Sequence, residues 1–254
     1  MNFLPALDLA ALAYFVMAWI GYAVAVEWGR HGGLNARMDC YREIWMRRML
    51  SREARMVDMQ IMAALQNGTA FFASTTLLAI GGALTIMRST GEVLAMVATL
   101  PLGIASTPAQ WEMKTIGLIV IFIYAFFKFA WSYRLFNYVA IMLGAMPFAG
   151  DKNTPEAECH VLRTTRLFES AGQNFNRGQR AFFFALGYLG WFAGPWLLFA
   201  STTAVVIVMW RRQFASSAQR SLMMELPAQV PAQAPSEVTA PETAPSSAPR
   251  AGRP

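Results

Sequence analysis

"IFIYAFFKFAWSYRLFNYVAIM", residues 121–142, is the stretch whose reading decides the fold. It is apolar over more than the roughly 20 helical residues needed to cross a bilayer's hydrocarbon core. Yet it carries Lys128 and Arg134. A charge at the centre of a span costs about 2.5–3.5 kcal/mol on insertion scales, so charged residues inside spans are normally paired, cavity-facing or near an edge. The rest of the chain has to supply what these two cations meet.

The whole chain supports a membrane setting. It has 254 residues, 56% hydrophobic and only 14% charged, where soluble domains average roughly 25% charged. The net charge of +6 does not point to nucleic acid, because the Arg residues fall between apolar runs rather than on one soluble face. Anionic lipid headgroups are the expected acidic neighbours. Cys40 and Cys159 lie in separate loops with no disulfide framework. With His31 and His160 they lack any metal-binding spacing, so no metal, cofactor or catalytic residue is expected.

Four spans are expected from length and hydropathy: residues 3–26, 68–87, 116–135 and 181–210. The first could alternatively be a cleaved signal peptide, but no basic residue precedes it and the apolar run is long for one. Gly194-Pro195 should kink the fourth. Residues 92–106 are apolar but short and interrupted by Pro101 and Gly103, which suggests an interfacial or re-entrant segment, with a broken fifth span as the rival. Basic residues concentrate in residues 27–67 and 137–180, so these loops are expected in the cytosol and both termini outside, in a cell (inner) membrane. Arg211, Arg212 and Arg220 run against that count. The tail, residues 213–254, is a disordered Pro/Ala-rich spacer by composition.

The fold class expected is therefore all-α, a four-span membrane bundle with amphipathic cytosolic helices. Within residues 36–65, apolar side chains recur at helical spacing with one missed turn at Arg52, and Asn35 is a candidate N-cap. Glu43 with Arg47, and Arg55 with Asp58, can pair along that helix. Thr154 and Pro155 mark another helix start, while Gly172 and Gly178 predict a break before the fourth span. Gly21, Ala25 and Gly29, and Gly190 with Gly194, offer seams for close helix approach.

At 1.5 Å per residue, Lys128 lies about 18 Å into the third span and Arg134 about 27 Å, at its inner edge. Counted from the other direction, Ser74 and Thr75 reach nearly the same level as Lys128. Ser132 shares a helical face with Lys128. Ser74, Thr75, Lys128 and Ser132 thus form an expected polar intramembrane cluster, with Glu27 as candidate counter-charge. Asn67, Arg134, Asn137, Asn176 and Arg180 join Glu27 at the cytosolic edge.

"NGTAFFASTT" (67–76), "KFAWSYRLFN" (128–137), "NRGQRAFFFAL" (176–186) and "GWFAGPW" (190–196) resemble the motifs of a membrane protein family of bacteria and plants, domain of unknown function 599. The resemblance covers roughly residues 8–210. It implies that Asn67, Ser74, Thr75, Lys128, Ser132, Arg134, Asn137, Asn176 and Arg180 occupy the family's polar motif positions, and it brings no activity. The sequence favours a non-enzymatic accessory, scaffold or assembly component in contact with anionic lipid, working as a homo-oligomer or within a larger membrane complex. The alternative is a transporter or channel for a small anionic solute around Lys128.

Overall fold

The computed structural model describes residues 5–28, 34–99 and 107–214, and every regular element among them is helical. The expected disordered tail from residue 215 on, Arg30, His31, Gly29 and the second half of the 92–106 segment lie outside the described residues. Among the described residues three helices are long and apolar enough to cross a membrane: α1 (Ala6–Trp28), α3 (Met56–Arg88) and α5 (Pro108–Gly144). The others are α2 (Leu34–Met49), α4 (Thr90–Ala98), α6 (Pro155–Tyr188), α7 (Gly190–Ala193) and α8 (Pro195–Phe214).

Helix α5 is the axis of the molecule. Thr107 opens it with a capping box: its hydroxyl accepts from the Gln110 amide while the Gln110 side chain accepts from the Thr107 amide, and Pro108 occupies the first turn. Two rows at seven-residue spacing are buried along it, Trp111, Leu118, Ala125, Ser132 and Val139, and Thr115, Phe122, Phe129, Phe136 and Leu143. α3 and α6 run antiparallel to α5, as the pairs Gln66–Asn137 and Phe72–Phe129 on one side and Ser132–Ala171 and Phe129–Phe175 on the other establish. α3 presents one buried row to it, Met62, Thr69, Thr76 and Ala83. Thr69 and Thr76 donate their hydroxyls to carbonyls of their own helix, which lets them pack as small apolar side chains.

Sequence expectation and structure part most sharply at the fourth span. No single kinked helix covers residues 181–210. Instead α6 runs unbroken through Gly172 and Gly178 to Tyr188, residues 189–194 turn the chain, and α8 returns. Gly194 makes the turn at φ 139°, a conformation open to glycine and closed to most side chains. Ser201 donating to the Gly187 carbonyl and Arg212 lying over the Phe183 ring fix the return as antiparallel. Gly172 and Gly178 do not break the helix because they serve packing. A Cβ at Gly178 would stand 2.9 Å from the Phe129 ring, and one at Gly172 would stand 2.6 Å from the Arg42 guanidinium. Gly190 likewise admits α8, whereas a Cβ at Gly21 would meet nothing within 4 Å.

The helices α5 and α6 outrun the apolar bundle at the end that carries the Arg-rich α2, which is called the inner end. There they join α2 and the first turns of α3 in a stalk with its own core, including Met46, Met49, Met62, Leu135, Phe136, Val139, Val161 and Phe168. The expected missed turn at Arg52 is a true break: residues 50–55 separate α2 from α3. Asn35 lies within the first turn of α2 rather than before it. Glu43 accepts from Arg47 at 3.0 Å. Asp58 pairs with Arg52 at 2.6 Å and with the Trp45 indole, not with Arg55, which reaches the Met146 carbonyl across the stalk at 2.7 Å. The reason is direction: once the chain breaks at residues 50–55, Arg52 folds back over Asp58 while Arg55 faces the end of α5. Arg47 also binds Glu158 at 2.9 Å, and these hydrogen bonds to Glu158 and Glu43 raise its guanidinium above its ordinary value. Thr154 caps α6 as expected.

Candidate functional site

Along α1, Asp8 and Glu27 stand about 28 Å apart at 1.5 Å per residue, close to the thickness of a hydrocarbon core. Each marks one end of the bundle, and each meets cations there.

At the inner end, Glu27 accepts from Arg177 at 2.9 Å and lies 3.7 Å from Arg180. Both arginines belong to α6 and point down toward the end of α1. Around them two adjoining clefts, of about 520 and 570 Å³ and open to solvent, lie between α1, α2, α6 and α8. Asn35, Asn176, Gln179, Arg212 and Gln213 line them further. Asp39 also touches the cleft, but its carboxylate is bonded to Arg42. Arg177 and Arg180 converge on Glu27, and Arg212 lines the adjoining cleft with Arg180, so the two clefts together carry three guanidiniums against Glu27 and the already bonded Asp39. Such a cleft, rich in hydrogen-bond donors and net positive, can hold an anion.

At the outer end, Asp8, Lys114 and Trp191 are all buried, Lys114 at 4% exposure and Trp191 at 1%. The Trp191 indole donates to the Asp8 carboxylate at 2.6 Å, and the Lys114 ammonium donates to the Trp191 carbonyl at 2.9 Å. Lys114 lies 3.8 Å from Asp8 and 5.3 Å from the centre of the Trp191 ring. This knot joins α1, α5 and α7. In the sequence Asp8 falls within the first expected span and Lys114 between the second and the third. The level counting used at the inner end applies here too, since Asp8 opens one span and Lys114 lies just before another. What it could not give was Trp191, which arrives through the turn after α6.

The expected intramembrane cluster is not assembled. Ser132 is buried and donates to the Ala171 carbonyl of α6 at 2.8 Å. Ser74 points away from α5 and is exposed, and Thr75 donates to the Phe71 carbonyl of its own helix at 2.8 Å. Lys128 is half-buried, its ammonium 5.5 Å from the centre of the Tyr124 ring. The four residues do lie at similar heights, but height is only one coordinate. α3 turns its row Thr69–Thr76–Ala83 to α5, and that rotation carries Ser74 outward. Of the edge residues, Glu27, Asn176 and Arg180 come together at the cleft. Asn137 accepts from Gln66 at 2.9 Å, Arg134 donates to Tyr138 at 2.7 Å on the exposed side of α5, and Asn67 is exposed on α3. Glu27 pairs with Arg177 and Arg180 and not with Lys128. His160 contacts the Met142 carbonyl at 2.9 Å, and Cys40 and Cys159 are exposed thiols.

Residues 10–218 match a family model described as "Protein of unknown function, DUF599". No curated protein and no solved structure matches the chain.

Proposed function

The chain belongs to this family, DUF599, and from that premise we propose that it is a non-enzymatic membrane bundle that holds a phosphate-bearing anion in its inner cleft. The observation that carries the reading is the excess of guanidinium over carboxylate along the two adjoining clefts, where Arg177 and Arg180 pair with Glu27 and Arg212 lines the cleft beside Arg180. Phosphate is the anion best suited to several planar donors at once, and lipid headgroups bring it to this level of a bilayer. A headgroup and a dissolved phosphate share that chemistry.

The same geometry favours an accessory role over a transporter or channel. A route from the inner cleft to the outer end would have to pass Phe15, Trp19, Phe184 and Tyr188. These rings pack on one another, Trp19 stacked on Phe184 at 5.6 Å and Phe15 against Tyr188 at 5.3 Å. The cleft is a dead end. Lys128 does not line the cleft: its ammonium sits over the Tyr124 ring, which packs on Trp19 of that barrier.

The topology we propose has five crossings. The α6–α8 hairpin brings α8 back parallel to α1, as Tyr14 bonding Thr203 and Tyr22 packing on Trp210 support. Its 20 residues suffice to span. Arg211 and Arg212 then fall beside the basic loops, which removes the conflict they raised with the distribution of positive charge. The amino terminus lies outside and the end of α8 in the cytosol of a cell membrane. Reporter fusions at residue 214 test this directly; an outward-facing fusion restores four crossings.

For the ligand, the protein is reconstituted in nanodiscs of phosphatidylcholine with or without phosphatidylglycerol, and bound lipid is counted by native mass spectrometry. Retention of the anionic lipid that falls at least fivefold in Arg180→Gln and Arg212→Gln supports a headgroup. Binding of inorganic phosphate by calorimetry, lost in the same variants, supports a dissolved anion. Equal lipid retention and no phosphate binding in wild type and variants overturns the reading.

A further inference from the structure

We infer that the inner cleft selects a phosphate ester bearing free hydroxyls, of the glycerol or sugar phosphate kind, with the arginines on its phosphate and side-chain amides on its hydroxyls. The inference rests on the phosphate reading above and names what the phosphate is attached to.

Five amide side chains line the two clefts: Asn35 from α2, Gln173, Asn176 and Gln179 from α6, and Gln213 from α8. All five are half-buried, and none has a hydrogen-bond partner among the described residues. Amides nearby are engaged by the protein itself: Gln66 donates to Asn137, and Asn174 donates to the Ser170 carbonyl. The five at the cleft are thus free for an occupant, and a partly desolvated amide gains from one that bonds it. Gln173 and Gln179 stand about 9 Å apart along α6 at 1.5 Å per residue. That is further than one phosphate bridges, so an occupant that uses the whole lining extends beyond its phosphate.

What an amide offers decides what that extension is. Its NH2 donates and its carbonyl accepts, and a hydroxyl answers both because it too donates and accepts. A second phosphate or a carboxylate only accepts, which leaves the amide carbonyls unanswered. An ammonium only donates, and it would stand among Arg177, Arg180 and Arg212 while Glu27 and Asp39 are already bonded to arginines. A nucleobase, which binds by stacking, finds the rings of the cleft taken: Tyr22 packs on Trp210, and Arg212 lies over Phe183. Hydroxyls on a short carbon frame remain. A lipid with a glycerol or sugar headgroup and a dissolved sugar phosphate share that chemistry.

The test compares ligands of equal charge on the full chain. In phosphatidylcholine nanodiscs, native mass spectrometry compares retention of phosphatidylglycerol with that of phosphatidylserine, which has the same net charge but an amine and a carboxylate in place of hydroxyls. In detergent, calorimetry compares glycerol 3-phosphate with methyl phosphate, two monoesters that differ in their hydroxyls. Wild type should prefer phosphatidylglycerol or glycerol 3-phosphate by about fivefold or more, the worth of one or two hydrogen bonds. Preference in nanodiscs alone assigns the hydroxyls to a lipid headgroup, and preference in calorimetry alone to a dissolved ester. Asn176→Leu and Gln213→Leu should each weaken the preferred ligand about threefold and leave the hydroxyl-free one unchanged. The wild-type comparison decides even where a variant fails to fold. Equal binding within both pairs, or preference for phosphatidylserine or methyl phosphate, overturns the inference, and if Arg180→Gln still weakens every ligand the phosphate reading stands without it. No binding of any of the four, in wild type as in Arg180→Gln, overturns both.

Discussion

The two ends of the bundle each bring a carboxylate of α1 to cations of later helices, and they differ in water. Outside, Asp8 and Lys114 are sealed under Trp191 and hold three helices in one arrangement. Inside, Glu27 and Arg177 are more than a third exposed and border open clefts. A sealed pair serves stability and fixed geometry, because removing one partner strands the other in a medium that cannot solvate it. A wet pair contributes little to folding and leaves its charges available to a ligand. That contrast is why the inner end, and not the outer one, is the candidate binding site.

The contrast breaks most visibly at Lys114. Lys114→Met should destabilise the protein by about 3–5 kcal/mol in thermal or denaturant unfolding in detergent, since Asp8 is left buried and unpaired. The double variant with Asp8→Asn should recover much of that loss. A single variant as stable as wild type would mean that water reaches the outer knot and that the two ends are alike.

Next in size is the α5–α6 contact that sets the position of Arg177 and Arg180. Gly178→Leu drives a side chain into the fully buried Phe129 ring and should cost about 1–3 kcal/mol. Gly21→Ala, in the same bundle but meeting nothing, should instead be neutral or stabilising by up to about 1 kcal/mol, as helical glycine replacement allows. The opposite signs distinguish a glycine kept for packing from one that is not.

Glu27→Gln removes the carboxylate of the wet pair. The loss in unfolding stability should stay within about 0.2–1 kcal/mol. At the same time the cleft gains net positive charge, so affinity for phosphate measured by calorimetry should rise severalfold. A large loss of stability, or weaker binding, would put Glu27 in the same class as Asp8. Smallest of all, Lys128→Met should change unfolding stability by no more than about 0.5 kcal/mol, because among the described residues the ammonium meets only the Tyr124 ring.

Much of this molecule is legible in its amino-acid order. Hydropathy and length find α1, α3 and α5, and the charge pattern gathers basic residues at one end. Thr154, and Glu43 with Arg47, are readable because caps and i, i+4 pairs are local. Height within the bundle is readable as well, since a helix rises by a fixed amount per residue. Height puts Glu27 and Arg180 at one level, and there the two side chains meet. It fails for Ser74 and Lys128, which lie at similar levels but on faces that do not meet.

The linear chain alone thus sets the properties that depend on the steady rise of a helix and the cost of leaving water: which segments are apolar helices and where along them charge falls. Rotation and return were fixed by packing. The face α3 turns to α5 depends on which of its rows fits more closely against a partner distant in sequence. Gly178 has the look of a breaker until Phe129 occupies the space it leaves, and a run with the hydropathy of one long span folds back at Gly194 because α8 packs between α1 and α6. Arrangements with the same hydropathy compete at each of these points, and the contacts that separate them join residues far apart in the chain.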